Sequence, residues 1–221
     1  GKRAGGSMLP TEAELSRQFE VNRHTIRRAL RALAEDGLVR AEQGRGTFVQ
    51  DVGIDYLIGT RTRFSENIRA QDFEPGLEIL GFAVRPAPAD VAEMLNVKTG
   101  SQIAETQTRR FANDRPVTVS TSYYAGIEPR RFEGALRQGQ SVTRALAEFG
   151  LDDYQRKSTI VSSRMPSASD AELLKQPRTR PILHVEALSV LPDGTPIELS
   201  RTRFASDRVQ LIFESDGQQA S

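Results

Sequence analysis

The feature that most constrains this chain lies between Leu9 and Val49: two short helical signals, a tight turn between them, and a glycine-rich hairpin, in that order. Leu9-Pro10 interrupts the chain. Thr11, with Glu14 three residues on, makes a capping box and starts a helix over residues 12–19, with Leu15 and Phe19 on one face. Glu20-Val21-Asn22 forms the turn. Asn22 then caps a second helix running to Glu35, in which Ile26, Ala29, Leu30 and Leu33 share one stripe and after which Gly37 is the C-cap. Two short runs, 38–41 and 46–49, flank Glu42-Gln43-Gly44-Arg45, and this pattern reads as a β-hairpin. Two short helices across a tight turn are a helix-turn-helix, and a hairpin directly after them is a wing. Residues 1–8 read as a flexible lead.

The second helix carries the chemistry of a nucleic-acid reader. Arg23 and Arg27 lie four apart, opposite the apolar stripe, with His24, Thr25 and Arg28 beside them. Arginine forks guanine edges or phosphates, Asn22 and Thr25 offer hydrogen bonds at the helix start, and Arg45 at the hairpin tip can reach a neighbouring groove. Charge agrees in direction. Residues 1–50 hold nine Lys/Arg against six Asp/Glu, while residues 51–221 hold twenty-one against twenty-three, so the basic end is the one expected to meet a polyanion. A solvated basic helix is the alternative. The order of helix-turn-helix, arginine cluster and Gly-Arg-Gly hairpin favours double-stranded DNA.

Other classes are constrained by what the sequence lacks. With no cysteine there is no disulfide, thiol nucleophile or cysteine metal site. His24 and His184 stand far apart in no zinc-ligand spacing, so neither a metal nor a cofactor is expected. No apolar run reaches spanning length and no signal peptide is visible, so the expected location is cytoplasmic.

Beyond a polar link at residues 51–59, the chain mixes strand-like and helix-like runs without a steady βαβ rhythm. Strands are expected over 79–85, 103–111, 117–124, 159–164, 183–191, 197–204 and 210–213, and helices over 65–71, 89–95, 130–133, 142–148 and 169–174. Sequential strands on short turns predict an α+β fold: a mainly antiparallel sheet with helices, following the winged head. The expected division is a head over 1–50, a link over 51–59, an effector-binding and dimerisation domain over 60–215, and a tail over 216–221. An internal repeat supports the sheet. Shifting the sequence by eighty residues aligns Pro86 with Pro166, Asp90 with Asp170, Met94 with Leu174, Ile103 with Leu183 and Pro116 with Pro196. Each copy reads helix, strand, turn, strand, and a ligand pocket between two such halves is the natural expectation. Arg61, Arg63 and Ser65 before a helix, Arg109-Arg110, Ser141 as an N-cap, and Glu198, Ser200, Arg201 and Arg203 along one strand are the polar groups available to line it. Arginine forks with hydroxyls suit a phosphate or phosphonate; plain surface salt bridges are the alternative for each arginine taken singly.

These motifs carry a resemblance. Leu9-Pro10-Thr11-Glu12, the run from Asn22 to Leu30, Glu35-Asp36-Gly37-Leu38 and Gly44-Arg45-Gly46-Thr47-Phe48-Val49 resemble the DNA-binding domain of the GntR family. The resemblance implies DNA contacts at Asn22, Arg23, Thr25, Arg27, Gln43, Gly44 and Arg45. It also implies a further helix ahead of Leu9, which residues 1–8 are too short to supply. Residues 60–213 resemble the UTRA effector domain of the HutC subfamily, a fold similar to chorismate lyase. The hallmarks are Arg63-Phe64-Ser65, Arg110-Phe111, Arg115-Pro116-Val117, Ser120-Thr121-Ser122-Tyr123, Ser141, Pro196-Ile197-Glu198 and Arg203-Phe204. By resemblance to the sugar-phosphate sensors of that subfamily, Ser65, Arg110, Ser141, Glu198 and Phe204 are effector contacts. Two positions depart from those sensors, Thr108 standing for an Arg and Phe204 for a Tyr. The segments from Gly59 to Ser65 and from Ser200 to Phe204 most resemble regulators of phosphonate metabolism (PhnF-like).

Together these readings predict a homodimeric repressor that is released from an inverted-repeat operator by a small anionic effector, a phosphonate or phosphorylated metabolite. The effector residues expected are Arg61, Arg63, Ser65, Arg110, Tyr123, Ser141, Glu198, Arg201, Arg203 and Phe204. A repressor for a different metabolite, a sugar phosphate or amino-acid derivative, is the alternative. A lyase-like enzyme is a distant one, because no nucleophile, metal cluster or Ser-His-Asp arrangement is present and His184 falls within an apolar strand.

Overall fold

The computed structural model describes residues 6–35, 38–42, 44–49, 53–139 and 141–214. The head begins with helices α1 (Glu12–Gln18) and α2 (Arg23–Glu35) and ends with strands β1 (Val39–Glu42) and β2 (Gly46–Val49). Both halves of the Thr11–Glu14 capping box form, and Asn22 Oδ1 accepts the Thr25 backbone N–H at 2.8 Å as the cap of α2. Leu15, Ile26 and Val39 are buried between these elements. Ala29 and Phe19, expected on the apolar faces, are exposed; Phe19 is the C-cap of α1, where the helix leaves the core. Gly37 lies outside the described residues.

Residues 6–8 are not a loose lead. Gly6 N–H donates to Val49 O at 3.1 Å, Val49 N–H to Ser7 O at 2.8 Å, and Met8 pairs with Phe48, so this segment lies along β2 as a third wing strand. The open edge of a two-stranded hairpin has unpaired backbone groups, and these bonds satisfy them.

Within the expected link, residues 54–58 form a strand, β3 (Ile54–Ile58), paired in parallel with the last strand, β10 (Val209–Phe213). Its alternating burial places Ile54, Tyr56 and Ile58 inward. Between these two strands run α3 (Phe64–Arg69), β4 (Pro75–Pro86), α4 (Ala89–Leu95), β5 (Gln102–Ala112), β6 (Arg115–Tyr124), α5 (Pro129–Gly139), α6 (Val142–Ala147), β7 (Gln155–Arg164), α7 (Ala168–Leu173), β8 (Ile182–Val190) and β9 (Pro196–Ala205). The main sheet is six-stranded and antiparallel, in the order β4-β5-β6-β9-β8-β7. That order is the repeat made visible: β4-α4-β5-β6 and β7-α7-β8-β9 are copies that meet back to back at β6 and β9. Thr121 pairs with Arg201, the residue it also matches in the repeat, so the pseudo-twofold axis passes through that pair. Where the copies turn, Asn113 and Gly194 both take positive φ, 52° and 88°.

The two faces of the sheet are covered differently. On one face α4 packs over Ile103, Leu188 and Leu199, and α7 ends over Val119, Ile182 and Ala205. On the other, β3, β10 and α3 cover Val117, Val185 and Phe204 at one end, while α5 and α6 cover Ala104, Tyr124 and Ile197 at the other. Between these two covers the sheet is left open to a cavity.

Candidate DNA interface and effector cavity

In the head, Arg23, His24 and Arg28 project from the exposed side of α2. Asn22 and Thr25 are partly engaged already, Thr25 Oγ1 lying 3.0 Å from Asn22 Oδ1, yet both retain hydrogen-bonding atoms at the helix start. Arg27, expected among the DNA contacts, is engaged within the head. Its guanidinium forks Glu12 of α1, with Nη2–Oε2 at 2.8 Å and Nε–Oε1 at 3.0 Å. That contact holds the Glu12 carboxyl below its usual pKa, through the hydrogen bond first. At the wing tip Arg45 pairs with Glu42 at 2.8 Å and remains largely exposed; Arg40 and Arg45 both lie against the Phe48 ring. Gly44 has φ of 76° and open space around it, so the tip can approach a partner closely. Gln43 lies outside the described residues.

The cavity has the sheet for its floor. Thr108 of β5, Thr118, Ser120, Ser122 and Tyr124 of β6, Glu198, Ser200, Thr202 and Phe204 of β9, and Ser189 of β8 all face it. Alternation along each strand produces these rows. A bulge opposite Arg110 and Phe111 adds Val117 to β6, which turns Val117 and Thr118 toward the same side. A sheet centre is ordinarily Val and Ile, because a buried hydroxyl without a partner costs about 1–3 kcal/mol. Here Ser120 Oγ and Thr202 Oγ1 bond each other at 2.9 Å, and the buried Thr118 Oγ1 has no partner among the described residues. The roof is Tyr56 of β3, Phe64 at the start of α3, Val142 and Thr143 of α6, and Tyr154. Burial raises the pKa of Tyr56, Tyr124 and Tyr154, and for all three the Glu198 carboxylate adds to it, so the phenols stay protonated donors at neutral pH. The cavity holds about 90 Å³ and continues into a groove of about 400 Å³ edged by Arg63, Ser65, Arg110, Ser141 and Arg144.

Three guanidiniums reach this space: Arg63, Arg110 and Arg156. Arg63 is held by neutral groups, donating to Asp152 O and Tyr154 O at 3.2 Å and stacking on the Tyr154 ring at 3.8 Å. Arg110 lies over Phe64 at 5.1 Å. None of the three has a carboxylate of a described residue within 4.0 Å. Every other buried or half-buried arginine among the described residues does, namely Arg40, Arg109, Arg180, Arg201, Arg203 and Arg208.

The structure therefore divides the expected effector residues. Arg63, Ser65, Arg110, Ser141, Glu198 and Phe204 gather around the cavity and its groove. Arg61, Tyr123, Arg201 and Arg203 do not line it. Arg61 is exposed and paired with Asp153. Tyr123, Arg201 and Arg203 point to the opposite face, where Arg201 joins Glu186 and Asp90, both at 2.7 Å, and Arg203 joins Asp170 at 3.2 Å and Thr121 at 3.1 Å. The reason is strand parity. Residues 201 and 203 are an odd number of steps from Glu198, and 123 an odd number from Ser122. Sequence reasoning passed over Thr118, Tyr124, Tyr154 and Arg156 as lining residues, while Thr108, which the resemblance matched to an effector-contacting Arg, does line the cavity. For β6 and β9 a signal existed: hydroxyls at alternate positions where a core strand needs apolar side chains.

Asn67 of α3 and Gln71 just after it brace β3, the first strand after the head. The side-chain amide of Asn67 bonds both backbone groups of Leu57, at 2.8 and 3.2 Å, and that of Gln71 bonds both of Asp55, at 2.8 and 2.8 Å. Two amides one helical turn apart thus stand in for a neighbouring strand along the free edge of β3. A link to the head runs from Arg180, paired with Asp207, to the carbonyl of Ala34 in the last turn of α2 at 3.4 Å. Among the described residues no helix is long and apolar enough to cross a membrane, and no group of His, Cys, Asp or Glu could hold a metal.

A helix-turn-helix with a wing, joined to a sheet domain enclosing a polar cavity, defines the class: a DNA-binding regulator that responds to a small molecule. Residues 1–49 match the family model of bacterial regulatory proteins, gntR family, and residues 70–210 match that of the UTRA domain. The chain belongs to the GntR family of transcriptional regulators and carries the UTRA domain of its HutC subfamily. It is 42% identical to an HTH-type transcriptional regulator of Rhizobium meliloti, across 94% of this chain and 86% of that one. It is 31% identical to the probable transcriptional regulator PhnF of Escherichia coli, across 95% and 87%. The crystal structure of PhnF from Mycobacterium smegmatis superposes with a TM-score of 0.65 at 25% identity, covering 99% of this chain and 95% of that one. These relatives are regulators of transcription by name, and the DNA-binding and effector-binding roles of the two parts follow from the family.

Proposed function

We propose that this regulator is a repressor that holds an inverted-repeat operator as a homodimer and lets it go when a phosphonate or phosphorylated metabolite enters the UTRA cavity. The observation that carries the effector class is the set of arginines left without carboxylates. Arg63, Arg110 and Arg156 face one space, and none is ion-paired with a described carboxylate. An isolated guanidinium out of bulk water is unfavourable unless an anion joins it, and arginine forks match a phosphoryl or phosphonyl group. Ser65 and Ser141 add hydroxyls at the groove. Resemblance to PhnF supports the phosphonate reading in particular.

The DNA contacts assigned in this reading are Asn22, Arg23, His24, Thr25 and Arg28 on α2, Arg27 once it exchanges Glu12 for phosphate, and Gly44 and Arg45 at the wing tip. Gln43 is included by family resemblance alone. In a dimer, two such helices would enter successive major grooves about 34 Å apart. Effector binding draws the start of α3 toward the cavity, and the Asn67 and Gln71 amides carry that movement to β3 and so to the head. The ligand acts only to the extent that it binds the released arrangement better than the operator-bound one.

Fluorescence anisotropy on a duplex from the region upstream of the coding sequence tests this. Operator binding that falls with rising salt and is relieved by alkylphosphonates supports both halves. Tight binding that no phosphonate, inorganic phosphate or sugar phosphate relieves removes the anionic effector.

A further inference from the structure

The same cavity contains one charge of the opposite sign. Strands of the six-stranded sheet bear four carboxylates: Glu78, Glu105, Glu186 and Glu198. Three have an arginine close by, Glu78–Arg109 at 2.6 Å, Glu105–Arg85 at 2.7 Å and Glu186–Arg201 at 2.7 Å. Among the described residues Glu198 has none within 4.0 Å, although it lines the cavity with three guanidiniums that have no described carboxylate that near. Its one hydrogen-bond partner among the described residues is the Tyr124 hydroxyl, which donates to Oε1 at 3.0 Å. Oε2 accepts no hydrogen bond from any described residue.

The sheet separates Glu198 from Arg110 along the strands and from Arg156 across them, since Arg156 pairs with Ser189 and Ser189 with Glu198. Arg110 pairs across the ladder with Thr118, whereas Glu198 pairs with Tyr124, six residues further along β6. In an extended strand that is about 20 Å between Cα rows, shortened by the inward reach of both side chains. The floor between them is the row of hydroxyls. Glu198 and Arg110 therefore mark opposite ends of the floor along the strands, while Arg156 shares the Glu198 row two strands away.

We infer that the effector is zwitterionic: an aminoalkyl phosphonate or phosphate whose ammonium group seats against Glu198 while its anion takes Arg63 and Arg110. This rests on the reading of the cavity as the effector site and narrows it. A ligand carrying only an anion would leave Glu198 facing an apolar or neutral end, its oxygens deprived of water without compensation. An ammonium group supplies three donors, enough for Oε2 and the neighbouring hydroxyls. The same demand rejects analogues that lack the donor, because the site's own polar group is then stranded.

The test uses the full chain and isosteric probes, with affinity read by calorimetry. 3-Aminopropylphosphonate is compared with n-butylphosphonate, in which a methyl replaces the ammonium, and with 3-hydroxypropylphosphonate; a series of two to five methylenes covers the unknown span. The amine is expected to bind about ten- to a hundred-fold more tightly than its alkyl isostere, the ratio that a charge-assisted hydrogen bond supports. Glu198→Gln keeps an acceptor for Tyr124, so the sheet stays closed; it is expected to weaken the amine and to tighten the alkyl probe, bringing the ratio near one. Equal affinity for amine and alkyl probes at every length overturns the inference and leaves the anion site standing. So does a hydroxyl probe or glucose 6-phosphate that matches the best amine. If no phosphonate, alkyl or amino, binds and Arg110→Ala changes nothing, the cavity reading itself falls, and this inference with it.

Discussion

The two faces of the central sheet carry similar residues and use them in opposite ways. On the face under α4 and α7, arginine meets acid: Arg201 with Glu186 and Asp90, Arg203 with Asp170, Arg109 with Glu78. On the cavity face, Arg63, Arg110, Arg156 and Glu198 stand apart from one another. Arg109 and Arg110 make the contrast within one dipeptide, consecutive on β5 and pointing to opposite faces. Charge that is matched inside the fold holds repeat to repeat and helix to strand. Charge that is left unmatched in a half-buried space is available to a ligand.

Arg110→Ala is the most direct attempt to break this contrast and has the largest expected effect. Arg110 has no ion pair to lose, so the melting temperature should stay within a few degrees, while phosphonate affinity should fall by about thirty- to a hundred-fold, the scale of a charge-assisted hydrogen bond. Calorimetry with an alkylphosphonate measures it. A large loss of stability with unchanged affinity would place Arg110 among the structural arginines.

Arg203→Ala asks the opposite question. Its side chain is 14% exposed, as is that of Asp170, and removing it strands that carboxylate. Stability should drop by roughly 1–3 kcal/mol in urea unfolding, given that breaking a well-buried pair costs more. Effector affinity should not change, because Arg203 lies behind the sheet. An affinity loss without destabilisation would return Arg203 to the binding residues, where strand position alone had grouped it.

The third effect lies between the faces and the head. Asn67→Ala with Gln71→Ala removes the four bonds that join α3 and the turn after it to the edge of β3. Effector and operator should each still bind, but the effector concentration needed for release should rise about tenfold, within the usual range of coupling energies. Release at the original concentration would route the signal elsewhere, with the Arg180–Ala34 link next in line. In the head itself Arg23→Ala should weaken operator binding several-fold and lower the slope of log affinity against log salt by about one, as for loss of one phosphate contact. An unchanged slope with altered sequence preference would make Arg23 a base reader.

How far these divisions could be read beforehand depended on the distance over which each is decided. The head is local: Thr11–Glu14, Asn22 and the Gly44-Arg45-Gly46 tip act within a few residues, and each was legible. The repeat made the sheet legible as well, since helix, strand, turn and strand recur eighty residues apart. The strand at Ile54–Ile58 was not, because its partner is Val209–Phe213 and its other edge is satisfied by side chains of α3. Arginine roles fell between these cases. Parity alone separates Glu198 from Arg201 and Arg203, so that part was open to reading. The pairing of Arg203 with Asp170, from the other end of its own repeat, needs the fold.

His184 offers the smallest test and sits on the matched face, beside Arg203 across the β8–β9 ladder. Burial lowers its pKa below the ordinary histidine value, and the charges of Arg164 and Arg203 lower it further, against an opposing pull from Glu186. The folded protein therefore takes up this proton less readily than the unfolded chain does. The stability it contributes is complete above the ordinary histidine pKa and declines as pH falls through that value toward the lower, folded one. Urea unfolding at pH 7.5 and 5.5 should show a modest loss in the native protein, and His184→Gln should make that loss smaller. Effector binding is the sharper readout. A phosphonate changes its own protonation in this range, so affinity will vary with pH in any case. The ratio of native to His184→Gln affinities should stay constant from pH 7.5 to 5.5, because the imidazole and the cavity lie on opposite sides of the sheet. A ratio that moves with pH would mean that protonation on the matched face is felt in the open one, and the sheet would then be conducting between its two faces rather than separating them.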